Sequence, residues 1–451
     1  MLKTVAHLKA VPKLANLDIL YGHLVTADPV ELLETQRLQK LYGNLYDCSN
    51  ILSPNFYTAC GAPEIAHIHK NHKNYVKKYK INKVFGQTFG QGILNCSGSK
   101  YEDRRKNMLQ VFKMDNLKEY LGVMQKSIDI FVERIRQDIL RQEQDKNKPI
   151  IDIDRYSTLI CLDIAAKTFF NREWGEDLEQ VSVIVNDLNQ ACRNSSVFSI
   201  KKHIRINQIL FYLKQIIKKR FINSRQYSDS GVLDLLHYLD NYTGEQQYKY
   251  NDVDLLDEVT TLLITGHETS ATAIVFAMAL LQLDPNYKNL VLDEVRNLPA
   301  DISYKDLQSC IYIRMLIDET LRMYPPVWFT MRYCLEQDEI NGFYIPGKSY
   351  IFSNFYVLHR NQEYWVKPNV FDPFRFAPEN KDKIVPYSYL PFIMGARTCL
   401  ASNFATMEVQ LVLIKLLQNF DFNVIPGTKM NLLPHITLRT TENLCLYANS
   451  L

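Results

Sequence analysis

Apolar residues recur at helical spacing through most of the chain. Residues 116–142 and Asp152–Phe170 repeat them every three or four positions, which predicts amphipathic helices. The most informative stretch is Asn251–Leu283. Asn251 can cap its start, and Asp254 occupies the capping-box position with Asp in place of the usual Glu. Asp284-Pro285 ends this helix and opens the next. At helical rise it spans roughly 48 Å. Its second half, Ala271–Leu281, is almost wholly apolar but too short for a bilayer, so the helix is expected to cross the core. A further helix is predicted from about Tyr304 to Met323, stopped by Pro325-Pro326.

The period then changes. Asp338–Val357 is rich in aromatic and β-branched residues and carries Asn341-Gly342 and Pro346-Gly347 turns, a hairpin signal. Asn403–Leu417 returns to helical spacing, and Ile436–Tyr447 reads as strand. Upstream of Tyr101, short helical patterns alternate with turn signals at Ser53-Pro54 and Gly61-Ala62-Pro63. The sum is a helix-rich α+β fold with small sheets, not the alternation of strand and helix that builds a parallel sheet. No linker-like composition divides residues 1–451, so one domain is expected.

Composition narrows the class. With 47% hydrophobic residues, a chain of 451 residues can bury a large core. A formal net charge of +3 offers no argument for nucleic acid as a partner. The nine cysteines are widely spaced without a Cys-x-x-Cys pair, which favours a reducing compartment over a disulfide framework. Met1–Leu24 has no long apolar run, so neither a secretion signal nor a span is expected there. The expectation is a soluble, cytoplasmic protein with at most peripheral membrane contact.

Candidate chemistry concentrates on one cysteine. An isolated cysteine is ordinarily a small buried hydrophobe, and that reading serves Cys48, Cys60, Cys96, Cys161, Cys192, Cys310, Cys334 and Cys445. Cys399 differs. It lies just before a helix, where backbone N–H groups can stabilise a thiolate, with Arg397 two residues earlier and Gly395 permitting a tight turn. The run Phe392-x-x-Gly395-x-Arg397-x-Cys399-x-Ala401 resembles the haem-binding loop of cytochrome P450 enzymes, in which glycine takes the place of Ala401. The resemblance continues in family order elsewhere. It takes in Tyr101-x-x-x-Arg105 with Tyr for Trp, and Thr265-Gly266-His267-Glu268-Thr269-Ser270 with Thr for the usual small first residue. It also takes in Glu319-x-x-Arg322, Arg332 and Phe371-x-Pro373-x-Arg375-Phe376.

The resemblance implies haem b (iron protoporphyrin IX), with Cys399 giving its thiolate to iron and Phe392 packing beside the sulfur. Arg397, Arg332 and Arg105, with Tyr101, would hold the propionates. Gly395 would shape the loop, and Ala401 would sit where the next helix approaches the ring. Gly266 would let substrate or oxygen approach the helix backbone, and Glu268 and Thr269 would relay protons. His267 reads as a packing histidine. Glu319, Arg322 and Arg375 would hold the core beneath the haem. Arg104 and Lys106 are expected to point away from the haem, towards a redox partner. The implied activity is monooxygenation of a hydrophobic small molecule by dioxygen. Electrons would come from a separate ferredoxin, flavodoxin or NADPH-dependent reductase, since no fused reductase motif follows.

The cavity is expected between the Leu262–Thr269 face, the Phe85–Ile93 loop and Val327–Thr330; Trp328 or Phe329 turned inward would narrow access and favour a slender chain or an edge-on ring, and both turned outward would say nothing. The Gly266–Thr269 and His359–Phe376 segments resemble fatty-acid and microsomal-type members. A fatty acid or other lipid therefore leads, with a sterol, terpenoid or polyketide intermediate open. A peroxide-driven peroxygenase of the same fold is disfavoured by the Glu268-Thr269 pair. A non-catalytic haem sensor is disfavoured by the lack of an output domain.

Overall fold

Asp252–Leu281 forms the long helix, and the Asn251 side chain caps it by accepting from the amides of Val253 and Asp254. Asp254 closes no capping box. It pairs with Arg104 at 2.9 Å instead, a charge-assisted partner stronger than a backbone amide. Asp284 caps the following helix, Pro285–Arg296, as predicted. Among the described residues the long helix alone is apolar and long enough to cross a membrane. Here 83% of its most apolar window is buried inside the protein, so it is a core element. The computed structural model describes residues 9–13, 29–49, 55–78, 83–193, 200–223, 235–240, 250–434 and 437–451.

The long helix packs against Ile153–Phe170 and Ser402–Asn419, and Met114–Gln144 packs against both of those. Met114–Gln144 presents Leu117, Leu121, Met124, Ile128, Phe131 and Ile135 on one buried face, as its period predicts. Phe169 lies against Phe112 and Phe404, with ring centroids 5.5 and 4.8 Å apart. The predicted helix Tyr304–Met323 is in fact two, Tyr304–Ser309 and Ile311–Met323, divided at an extended Cys310. The Glu294 carboxylate accepts from the amides of Ile311, Tyr312 and Ile313 at 2.6 to 2.9 Å. An acid from the helix Pro285–Arg296 thus supplies the start that the local sequence lacks.

The hairpin signal resolves into two structures. Asp338–Ile340 pairs antiparallel with Phe343–Ile345 around Asn341-Gly342, both at positive φ. Ser349–Asn354 leaves to join a five-stranded sheet. Its order is Leu45–Asp47, Phe56–Ala59, Ser349–Asn354, Phe329–Cys334 and Tyr75–Val76. The C-terminal strand region divides likewise: Leu438–Thr440 pairs with Leu432–Pro434, and Cys445–Ser450 pairs with Ile150–Asp152 and Phe420–Val424.

The predicted Glu319–Arg322–Arg375 set forms. Glu319 and Arg322 are fully out of water and joined by two hydrogen bonds of 2.6 and 2.8 Å. Arg322 also donates to the carbonyls of His359 and Pro368, and the Asp372 amide donates to Glu319. Arg375 lies 3.6 Å from Glu319 and donates to the carbonyls of Val366 and Lys367.

Glu408, on Ser402–Asn419, is also fully buried. Its carboxyl faces Ser270 and Cys161, with neither oxygen in a well-formed hydrogen bond among the described residues. Burial raises its pKa from 4.5 to about 8, outweighing the lowering by Ser270 and Cys161. Such a group stabilises the fold fully below the ordinary carboxyl range, and that contribution is lost as pH rises through about 8. We expect Glu408→Gln to flatten this dependence. Thermal midpoints of variant and native chains should separate with rising pH, the variant being the more stable; curves that stay parallel would refute the assignment.

Candidate functional site

The cysteine loop is shaped from behind by Gly395. Its φ is +72°, and a Cβ there would overlap the carbonyl of His69 on the helix Ala62–Lys70. The loop folds back so that the Cys399 amide donates to the Phe392 carbonyl at 3.0 Å. The Cys399 thiol is exposed to a cavity of about 350 Å³ while being enclosed by the fold around it. Burial pushes the thiol up, and the Ala401 amide and the Arg105 charge act in the opposite sense.

Every predicted site residue except Gly395 lines this cavity. Tyr101 donates to the Ala396 carbonyl at 2.8 Å and accepts from Arg105, which also donates to the Thr398 carbonyl. The Arg397 guanidinium lies 3.2 Å over the Tyr101 ring and donates to the Cys96 carbonyl at 2.7 Å. Arg332 reaches the cavity from the strand Phe329–Cys334 and is buried. Sequence reasoning missed Lys77, which lines the same space and donates to the Leu94 carbonyl. Its amine is held well below the usual range by burial and by the charges of Arg332 and Arg397. His69, just behind, is pushed down by burial, Arg332 and Lys77.

Three guanidinium groups and the Lys77 amine thus meet at one apolar cavity beside a thiol. Among the described residues the one carboxylate on its wall is Glu268, which pairs with Arg439. Excess positive charge, apolar walls and a soft sulfur donor fit a flat ring with two acidic arms and a metal, as a haem would present. Cys399 could supply the sulfur, and Arg105, Arg332, Arg397 and Lys77 could hold the acids.

The structure corrects two expectations and sharpens two others. Arg104 does not face outward. It is 1% exposed, pairs with Glu258 and Asp254 of the long helix, and donates to the Gln91 carbonyl. Lys106 is the exposed residue of the two. The Phe85–Ile93 stretch is not a loop throughout: Lys83–Phe89 is helical, and the turn after it brings Ile93 and Leu94 to the cavity beside Phe89. Of the two bulky neighbours, Trp328 is buried away from the cavity against Phe352, and Phe329 lines it. Gly266 does more than open the helix to a ligand, because a Cβ there would come within 3.1 Å of the Phe169 ring.

Glu268 and Thr269 both line the cavity but are not joined. The Thr269 hydroxyl donates to the Thr265 carbonyl at 3.0 Å. Glu268 Oε1 accepts from the Thr437 hydroxyl at 2.6 Å and lies 3.2 Å from Arg439 Nε. Burial raises this acid, but Arg439, His267 and Thr437 together hold it below the usual carboxylate range. His267 packs as expected, with Nδ1 against the Leu263 carbonyl and a pKa lowered by burial to about 4. Thr437 and Arg439 belong to no motif; their one signal in the sequence is an arginine within a strand-like, Thr-rich stretch.

Comparison with known proteins agrees with this picture. The cytochrome P450 family model matches residues 12–444. The chain is 28% identical over 402 residues to cytochrome P450 4A12 of Rattus norvegicus, covering 82% of this chain and 77% of that protein. It is 26% identical over 391 residues to probable cytochrome P450 4ac1 of Drosophila melanogaster, covering 82% and 76%. The cytochrome P450DA heme domain shares the fold, with a TM-score of 0.84, 20% identity and 98% of each chain covered. The chain belongs to the cytochrome P450 family of haem-thiolate proteins. Its activity is that of a monooxygenase, which takes a substrate, dioxygen and electrons from a redox partner.

Gly395→Ala is expected to lower the unfolding free energy by about 1–3 kcal/mol, from the left-handed backbone and the overlap with His69 together. Denaturant unfolding measures this, and an unchanged midpoint would show that the loop can shift.

Proposed function

We propose that this chain hydroxylates a fatty acid or another slender lipid, with Cys399 as the residue whose sulfur would hold haem b. The observation that carries the reading is one cavity that gathers the Cys399 thiol, a cationic rim and the Gly266–Thr269 segment behind apolar walls. When bound, a haem with a thiolate ligand supplies reductive activation of dioxygen.

The chain's own residues do the rest. Arg105, Arg332, Arg397 and Lys77 would hold the acidic arms of the ring, and a guanidinium can do so through paired hydrogen bonds. Phe392 and Ala401 line the cavity near Cys399 and would pack beside the ring. Phe89, Ile93, Leu94 and Phe329 exclude water and align an extended chain, with Phe329 narrowing the space as a slender substrate requires. Glu268 and Thr269 pass protons towards the reacting oxygen through ordered water. Electrons come from a separate ferredoxin, flavodoxin or NADPH-dependent reductase docking on the Cys399 face. Exposed Lys106 is a contact for that partner, and buried Arg104 is not.

Titrating the ferric protein with dodecanoic acid and longer fatty acids tests the substrate class. We expect a saturable low- to high-spin shift of the Soret band. No shift at any chain length would favour a sterol or terpenoid and leave the haem assignment standing. In Cys399→Ser we expect loss of the thiolate-type carbon monoxide spectrum; a native spectrum in that variant would remove Cys399 as the ligand.

A further inference from the structure

Three threonines stand in a row on the cavity face of the long helix. Thr261, Thr265 and Thr269 all line the cavity, and their spacing of four residues puts them on one face, about 6 Å apart along the axis. Each hydroxyl donates to the carbonyl four residues before it: Thr261 to Asp257 at 2.6 Å, Thr265 to Thr261 at 2.7 Å and Thr269 to Thr265 at 3.0 Å. A hydroxyl carries one proton and two lone pairs. With its proton spent on the helix, each of these oxygens can still accept a hydrogen bond from a ligand but has none to give.

The neighbouring polar groups of the wall follow the same rule. Thr437 gives its proton to Glu268 at 2.6 Å, Thr330 pairs with His69 Nε2 at 3.4 Å, and Ser270 is turned to Glu408. The cationic donors on the wall are the Lys77 amine and the guanidinium groups of Arg105, Arg332 and Arg397, which would hold the acidic arms of a haem. To any other ligand the long helix therefore presents side-chain acceptors. The three rungs differ in access. Thr261 is buried behind the turn after Lys83–Phe89, where a Cβ at Gly92 would overlap its hydroxyl. Thr265 and Thr269 are half-buried. Thr265 is the rung without a part in the proton path, and it stands where the family pattern has a small residue.

We propose that Thr265 is a specificity-determining residue that accepts a hydrogen bond from the substrate, and that the substrate is a slender lipid bearing its own hydroxyl close to the carbon that reacts. The inference rests on the monooxygenase reading above and narrows its substrate class. An acid head brought against this wall would be buried without a donor, which costs more than leaving it in water. The head therefore stays outside and the tail enters first. A bare methyl tail gives the Thr265 oxygen nothing, whereas a tail hydroxyl satisfies it one helical turn from Thr269. A wall that recognises a ligand hydroxyl in this way discriminates against analogues that lack it.

The test titrates the ferric holoprotein with dodecanoic acid, ω-hydroxydodecanoic acid and the ω-methoxy derivative, which can accept but not donate. The Soret spin shift gives each affinity. In the native protein the hydroxy acid should bind about tenfold more tightly than either of the others, the upper end of what one hydrogen bond contributes. Thr265→Val keeps the shape and removes the hydroxyl, so the preference should vanish; Thr265→Ser should keep it. Thr265→Ala should lose it as well, and serves if the valine side chain packs badly. Equal native affinities, or a preference that survives in both Thr265→Val and Thr265→Ala, would overturn the role of Thr265 and leave the lipid reading standing. A Soret shift to longer wavelength with the hydroxy acid alone would also overturn it, since the hydroxyl would then be held by the iron. No shift with any of the three ligands would count against the lipid reading itself and take this inference with it.

Discussion

The cysteine loop depends on a pair of charges that never meets water. Glu319 and Arg322 are joined at two points, and removing either would leave the other buried and uncompensated, which costs about 3–5 kcal/mol. The remaining donors of Arg322 are spent on backbone carbonyls of a segment with little regular structure of its own. One of those carbonyls is that of His359, whose ring Nε2 accepts from the Leu390 amide at 2.9 Å, two residues before Phe392. Burial, Arg322 and Arg360 push the His359 pKa down to about 3. The ring stays neutral and able to accept. An unbroken line of hydrogen bonds thus runs from a helix interior to the approach of the cysteine loop.

The long helix organises the opposite wall by the same means. Four of its acids are answered from other elements: Asp254 and Glu258 by Arg104, Asp257 by Lys214 and the Gln91 amide, Glu258 also by the Ile93 amide, and Glu268 by Arg439. Burial lifts Glu258 to about 7 despite Arg104. A helix chosen for apolar burial alone would carry none of these groups. Here they fix the turn after Lys83–Phe89 and the C-terminal hairpin to one rigid rod.

What could be read in the sequence follows from how local each signal is. Helix period, the Asn251 and Asp284 caps and the cysteine loop are short-range patterns, and all were legible. The break at Cys310 was not, because the carboxylate that starts Ile311–Met323 comes from Glu294. Arg104 and Arg105 are neighbours, yet one lines the cavity and the other is locked to acids some 150 residues away, a distinction no motif carries. Trp328 and Phe329 take opposite sides because the chain enters a strand there, where successive side chains alternate. Thr437 and Arg439 stayed invisible because their meaning lies entirely in a contact 169 and 171 positions distant.

The wall between the cysteine loop and the N-terminal third is sewn by Tyr101 to Ala396 and Arg397 to Cys96, contacts separated by 295 and 301 residues. Closing loops of that length must precede any reward from the contacts themselves, so this seam belongs to the late stages of folding. A ligand bridging both sides stabilises the closed chain in proportion to its occupancy. A prosthetic group that touched both sides of this seam would therefore also be its last structural member.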